Sequence, residues 1–387
     1  MIKRNVAASV GAVILAVGGT AVFAGAASAA VSAPRSATAT GWQVTQVLGA
    51  PDYLAAQAIT ADSTKDAWIS GYDPLGPNGD FDSLLIEHWT GSAWKQLAVP
   101  AAFDQNINDS VISASSATNM WTFPEASKEY ALHWNGKAWS KFSVGKVQVL
   151  STVAVGAKSD WAFGDKIPTT PVLGYGKPYA AYYNGSSWKT SSMPGVATHV
   201  SEVSASDIWA SGPNAATAGD SGSAAKYIAM HWNGSRWNSV SIPQPAPLAG
   251  ATWTPRGIAA VGPRNIWVLD TPAGSQNGEP GPTATALLHW NGKKWTTVTN
   301  TSDMFQSFAL DGSGGLWLSG YDADSDVTIA HYSGGKWSYQ SPPTESGYTG
   351  SGIDFARIPG TKSLWGITGL EPVSSGIYED AIVRYVP

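Results

Sequence analysis

Tryptophan recurs along this chain at a spacing that few folds can accommodate. Trp68, Trp121, Trp161, Trp209, Trp267, Trp317 and Trp365 each open a short apolar run, at intervals of about 50 residues, and such a period marks a radial array of small sheets. After each of the first six comes a polar hairpin of one design: HWTGSAW (His88 to Trp94), HWNGKAW (His133 to Trp139), YYNGSSW (Tyr182 to Trp188), HWNGSRW (His231 to Trp237), HWNGKKW (His289 to Trp295) and HYSGGKW (His331 to Trp337). Each repeat reads as four strands. In the fourth, Val200 to Ala205 alternates as strand A, Ile208 to Ser211 is strand B, Tyr227 to Trp232 strand C and Trp237 to Ile242 strand D.

Turn chemistry agrees with that reading. Asn135-Gly136, Asn184-Gly185, Asn233-Gly234 and Asn291-Gly292 are predicted to supply the positive φ values of a tight C-D hairpin. Asp207, with counterparts Asp66, Asn119, Asp160 and Asn265, is predicted to close the A-B turn. Residues 381 to 386 read as a strand C with no strand D after it, and Gly41 to Val44 as a strand D with nothing before it. The expectation is an all-β, seven-bladed β-propeller of four-stranded antiparallel blades, spanning residues 41 to 387, whose last blade is closed by the N-terminal strand. Eighteen of the 19 Trp occupy repeat positions, which assigns them to packing between blades before any other role.

The first 29 residues have the form of an export signal: Lys3 and Arg4, an apolar run from Val6 to Phe23, then Ala27-Ser28-Ala29 as the cleavage site. Residues 30 to 41 read as a flexible leader. A secreted, extracellular protein is therefore expected, with no membrane attachment after signal cleavage. With no Cys in the chain, disulfides and a lipid-modified cysteine are excluded. Removing Lys3 and Arg4 takes the basic count from 23 to 21 against 28 acidic residues, a net charge of −7. That balance argues against a nucleic-acid partner.

In a four-stranded meander the B-C and D-A connections share one face. These are the long, irregular ones here, including Gly71 to Ser83, Gly164 to Tyr179, Ser211 to Lys226 and Asp270 to Thr283, and they carry most of the carboxylates. An acidic recognition face is expected there, since function on a rigid scaffold concentrates in loops. Trp253, the one Trp outside the repeat, Arg256, Tyr72 and Tyr321 are its candidate ligand-binding residues. Trp253 serves equally as a pin for its own loop. Asp322, Asp324 and Asp326 form a candidate Ca²⁺ site by their alternate spacing, although Val327 and Ser333 replace the Gly and Glu that an EF-hand loop needs. No other cofactor is expected.

Catalytic motifs are weak. Gly219-Asp220-Ser221-Gly222-Ser223 copies the sequence around a trypsin-type nucleophile without the rest of that pattern. His88, His133, His231, His289 and His331 take the same place in five repeats and are spread around the ring, while His199 alone lies outside it.

The polar turn followed by W-x-x-V-x-x-P, as in Trp237 to Pro243, resembles the third and fourth strands of kelch-type repeats, as in the central domain of galactose oxidase, and repeats of secreted actinobacterial propellers. The likeness runs over residues 41 to 387. It departs from kelch in lacking the double glycine, with a lone Gly212 closing strand B. Galactose oxidase forms its cofactor from a Tyr-Cys link, so a Cys-free chain implies the fold without the oxidase.

The first expectation is a monomeric, non-catalytic binding module for an extracellular carbohydrate or protein. The alternatives are a glycosidase or polysaccharide lyase using loop carboxylates such as Asp80, Asp82 and Asp165, and a scaffold subunit of a secreted complex.

Overall fold

A strand that carries a large ring at its centre and Ala, Ser or Gly beside it suits a sheet packed on both faces. The B strands behave accordingly. In Asp66–Tyr72 every residue but the last is buried, and Asn119–Pro124 is buried throughout. The computed structural model describes residues 41–48, 54–72, 83–100, 103, 110–124, 130–156, 159–168, 174–220, 225–245, 252–273, 283–374 and 378–387. These form seven four-stranded antiparallel sheets and, among the described residues, no helix. The segments expected to be an export signal and a leader, up to residue 40, lie outside them.

Each blade is a meander. Blade four runs A (His199–Ser204), B (Asp207–Pro213), C (Tyr227–Trp232), D (Trp237–Ser241). Blade seven takes A (Tyr348–Arg357), B (Leu364–Pro372) and C (Glu379–Val386) from the end of the chain, and D (Gly41–Leu48) from the other end of the fold. Trp42 stands opposite Tyr385, and the Thr45 hydroxyl donates to the Ile382 carbonyl over 3.0 Å.

Four of the seven seams between blades follow one rule, the strand-B Trp packing on the strand-D Trp of the next blade, and at the other three the same two residues share a hydrophobic cluster. Trp121 meets Trp188 at 4.9 Å between ring centroids and 76°, Trp161 meets Trp237 at 5.6 Å and 88°, and Trp317 meets Trp42 at 5.6 Å and 85°. Trp365 on Trp94, at 5.3 Å and 74°, carries the rule from blade seven back to blade one. Edge-to-face contacts set the positive ring edge on the negative face, adding roughly 1 kcal/mol each to the burial itself.

The structure gives the repeated histidines a role and corrects one turn assignment. The strand-C histidines are wedges of the scaffold: each stacks on the Trp of its own strand B and reaches Asp or Asn at the A-B turn through Nε2. His88 does so to Asp66, His133 to Asn119, His231 to Asp207, His289 to Asn265 and His331 to Asp311, all within 2.6 to 2.9 Å. In blade seven Arg384 takes over the stacking, 4.9 Å above Trp365. In the C-D hairpins only the glycine has positive φ, +88° at Gly234. Asn233 instead accepts the N–H groups of Ser235 and Arg236 on Oδ1, at 3.1 and 3.0 Å. The Asn side chain holds the turn, and Gly alone bears the left-handed backbone.

Strand A carries the detail that positions the site. In blades one, three, five and six its pairing with strand B breaks for one residue, leaving Gln57, Leu150, Arg256 and Gln306 as bulges. A bulge re-aims the side chain it carries. Opposite it, strand B places glycine in blades one, three and six. At Gly164 an added Cβ would stand 1.9 Å from the Gln148 carbonyl oxygen, so no side chain fits. Blade five departs from this: Asp270 occupies the glycine position, paired with Pro255.

Candidate functional site

Blades three, four and five bring four polar side chains, Arg256, His199, Tyr175 and Tyr227, near one another on the B-C/D-A face. The bulge projects Arg256, partly exposed, and its Nε donates to the hydroxyl of Thr271, a fully buried residue, over 2.9 Å. That bond fixes the plane of the guanidinium from below. Among the described residues the only ion pairs are His88–Asp66, His231–Asp207 and His331–Asp311, so no carboxylate lies within pairing distance of Arg256.

His199 opens strand A of blade four beside it. Burial, reinforced by the Arg256 charge, pulls its pKa down to about 4, so the ring is neutral at physiological pH. The Thr198 hydroxyl lies 3.0 Å from His199 Nδ1 and 3.2 Å from the Ser211 carbonyl. A neutral imidazole held through Nδ1 in this way keeps Nε2 for a partner, as donor or acceptor according to its tautomer.

Tyr175 comes from the B-C loop of blade three and Tyr227 from the start of strand C in blade four. Burial pushes the Tyr175 hydroxyl up to about 12, with Tyr227 and Asp165 adding to the rise and Arg256 opposing it, which places these groups around one spot. Both tyrosines are partly exposed. The loop carrying Tyr175 is tied to the next blade: the N–H groups of Gly174 and Tyr175 donate to the carbonyls of Gly219 and Ala218 at 3.0 and 2.6 Å. The receiving loop is itself held by Asn214 Oδ1, which accepts from the N–H groups of Ala216 and Thr217, both at 3.0 Å.

The residues singled out from sequence fare differently. Arg256 is at the centre of the cluster. Trp253 is a strand residue, not a loop residue; it is 2 % exposed and packs with Trp209, Ile242 and Ile258, which leaves no ring face for a sugar. Its neighbour Pro255 and its partner Pro272 extend the A-B pairing beyond the bulge and draw it into the core. Tyr72 ends strand B of blade one, and Tyr321 lines a shallow cleft between blades six and seven with Gln306, Ser319 and Gly352. Neither shares a blade with Arg256.

Asp322, Asp324 and Asp326 do not converge on a cation. Asp322 Oδ1 accepts the N–H groups of Asp324 and Asp326, both at 2.9 Å, so that carboxylate closes its own turn. No group of three or more His, Asp or Glu among the described residues is arranged to hold a metal ion. Asp165 is 2 % exposed and accepts the N–H of Gly176, which sets it in the wall of the cluster. Asp80, Asp82 and Ser221 to Ser223 lie outside the described residues, as do parts of all four long loops.

His199, Tyr175 and Tyr227 were not assigned together from sequence. A faint signal existed: His199 is the one histidine off the repeat position, and Arg256 the one arginine expected on this face.

No protein-family model matches the chain, and no curated protein matches its sequence. Solved structures do resemble it. YCF48 bound to a D1 peptide superposes with a TM-score of 0.54 at 12 % identity, over 92 % of this chain and 100 % of that one. YCF48 from Cyanidioschyzon merolae gives 0.53 at 14 %, over 90 % and 99 %. The β-propeller domain of the Trilobed protease from Pyrococcus furiosus gives 0.53 at 8 %, over 86 % and 93 %. This chain is a seven-bladed β-propeller. At such identities the likeness between these propellers is one of fold, and function has to be argued from the residues of the site.

Proposed function

We propose that this propeller is a secreted, monomeric, non-catalytic recognition module that docks an extracellular glycan or protein on its B-C/D-A face, centred on Arg256. The observation that carries this reading is an oriented cation without an ion-pair partner: a bulge aims Arg256 outward, buried Thr271 fixes its plane, and no carboxylate among the described residues pairs with it. A guanidinium held in this way offers its terminal N–H groups to a ligand at little entropic cost. The A-B and C-D turns of the other face are short and alike, and their backbone donors are taken up by their own Asn side chains, as at Asn135 and Asn291. Secretion is supported by the signal-like N-terminus. The kelch-like hairpins support the scaffold role of the repeat. YCF48, of the same fold, was solved with a D1 peptide, so a peptide ligand is within the reach of this architecture.

Arrays of glycans and peptides probed with the wild-type chain and with Arg256→Gln test the reading. Binding of a defined class by the wild type, reduced at least tenfold in the variant, is expected, with the ligand recovered chemically unchanged. Equal binding by both proteins, or new reducing ends or unsaturated sugars in the recovered ligand, would overturn it.

A further inference from the structure

The Arg256 cluster has a composition that selects among ligands. Four side chains from three blades supply different functions: Arg256 a cationic pair of donors, His199 a neutral imidazole, and Tyr175 and Tyr227 hydroxyls that both donate and accept. Among the described residues none of these four groups is engaged by a carboxylate and neither tyrosine hydroxyl has a hydrogen-bond partner. A ligand that satisfies all four carries an anionic group for Arg256 and hydroxyls for the imidazole and the two phenols.

The described backbone beside the cluster is taken up. Gly174 and Tyr175 are paired with Gly219 and Ala218, Asn214 N–H donates to the Lys226 carbonyl at 2.8 Å, and Ala215 N–H to the Pro194 carbonyl at 2.9 Å. Added-strand recognition of a peptide needs free main-chain donors and acceptors, and these described residues spend theirs on one another. What remains is side-chain hydroxyl, imidazole and guanidinium, which match a sugar ring bearing a carboxylate.

We infer that the cluster of Arg256, His199, Tyr175 and Tyr227 is a binding site for an acidic saccharide of the uronate type, the carboxylate lying on Arg256 and a ring hydroxyl meeting the neutral imidazole of His199. This deepens the recognition reading above and rests on it. The chain carries a net charge of −5, so polyanions are repelled except at Arg256, which has no carboxylate partner among the described residues. Selectivity for the one charge in register is the consequence.

Calorimetry with tetragalacturonate, and with the same oligosaccharide after its carboxylates are reduced to primary alcohols, tests the assignment. The acidic form is expected to bind, and the reduced form to bind at least tenfold more weakly. Arg256→Gln should abolish the difference. Because loss of the Thr271 contact bears on folding, Tyr227→Phe provides a milder arm: it keeps the ring and should weaken the acidic ligand about threefold to tenfold with an unchanged thermal midpoint. Equal affinity for acidic and reduced forms, or no binding of the acidic form at millimolar concentration, overturns the inference. If neutral glycans or peptides then bind in an Arg256-dependent manner, the recognition reading stands while the uronate assignment falls. If nothing on the arrays depends on Arg256, both fall.

Discussion

His231 lies flat on Trp209, ring centroids 4.2 Å apart and planes within 13°, while its Nε2 sits 2.8 Å from the Asp207 carboxylate that also accepts the Trp209 indole N–H. Imidazole, indole and carboxylate thus lock strand C of blade four to strand B and to the A-B turn that leads into it. His231→Ala removes a stacked ring and leaves Asp207 short of one donor, so a loss of about 1 to 3 kcal/mol is expected by urea denaturation. His331→Ala should cost a similar amount in blade six, and neither should alter ligand binding.

Backbone proximity makes a sharper distinction among glycines. Gly164→Ala would force a Cβ to within 1.9 Å of the Gln148 carbonyl oxygen, whereas Gly262→Ala places its Cβ with nothing inside 4 Å. The first should lower stability by several kcal/mol, since a strand pair must separate to admit it. The second should be neutral to slightly stabilising, by about 0.5 kcal/mol, through the unfolded chain. Thermal midpoints of the two variants measured side by side give the answer.

Asp270 fixes the sign of a pH effect. It is 1 % exposed, one of its carboxylate oxygens has no hydrogen-bond partner, and burial raises its pKa to about 7 from an ordinary 3.8. Between those values the folded state holds a proton that the unfolded state has released, so this group's contribution to stability falls as pH rises from about 4 to about 7. Asp270→Asn keeps the shape and removes the titration. The variant should match the wild type near pH 4 and exceed it increasingly up to pH 7, by on the order of 1 to 4 kcal/mol. A stability difference that stays flat across that range would count against a buried, proton-bearing Asp270.

Trp42 is the outer-strand indole of blade seven and packs on Trp317, Phe355 and Tyr385 at 5.3 to 5.6 Å. Trp42→Ala should cost about 3 kcal/mol, because the ring is partly exposed but closes the circle of blades. The measurement is denaturant unfolding followed by intrinsic fluorescence, with a red-shifted native spectrum as Trp317 gains solvent.

The wheel of blades was legible because its determinants are local and repeated. A Trp at one position in every strand B and another at the head of every strand D is a periodic signal, and both are satisfied by packing into the cluster between neighbouring blades. The termini were legible for the same reason, since Gly41 to Val44 carries the strand-D pattern. The site was legible only at Arg256. His199, Tyr175 and Tyr227 meet it through blade-to-blade geometry and through a bulge at Pro255 and Gly257 that leaves no mark in composition. The same bulge explains Trp253: counted as a loop residue, it falls within an extended strand Thr252–Gly262 and is drawn into the core. The acidic triplet failed for a further reason. Alternate spacing brings carboxylates near one another, but hydrogen bonds to the backbone of the same turn claim them first, as at Asp322.

The bond from Thr45 to Ile382 spans 337 positions of sequence. The strand nearest the start of the described chain therefore waits until nearly all the others have been synthesised before it finds its neighbour, and a loop of that length is closed late and slowly. Until then the seam between blades one and seven lacks its outer strand. Maturation of this molecule ends with a clasp.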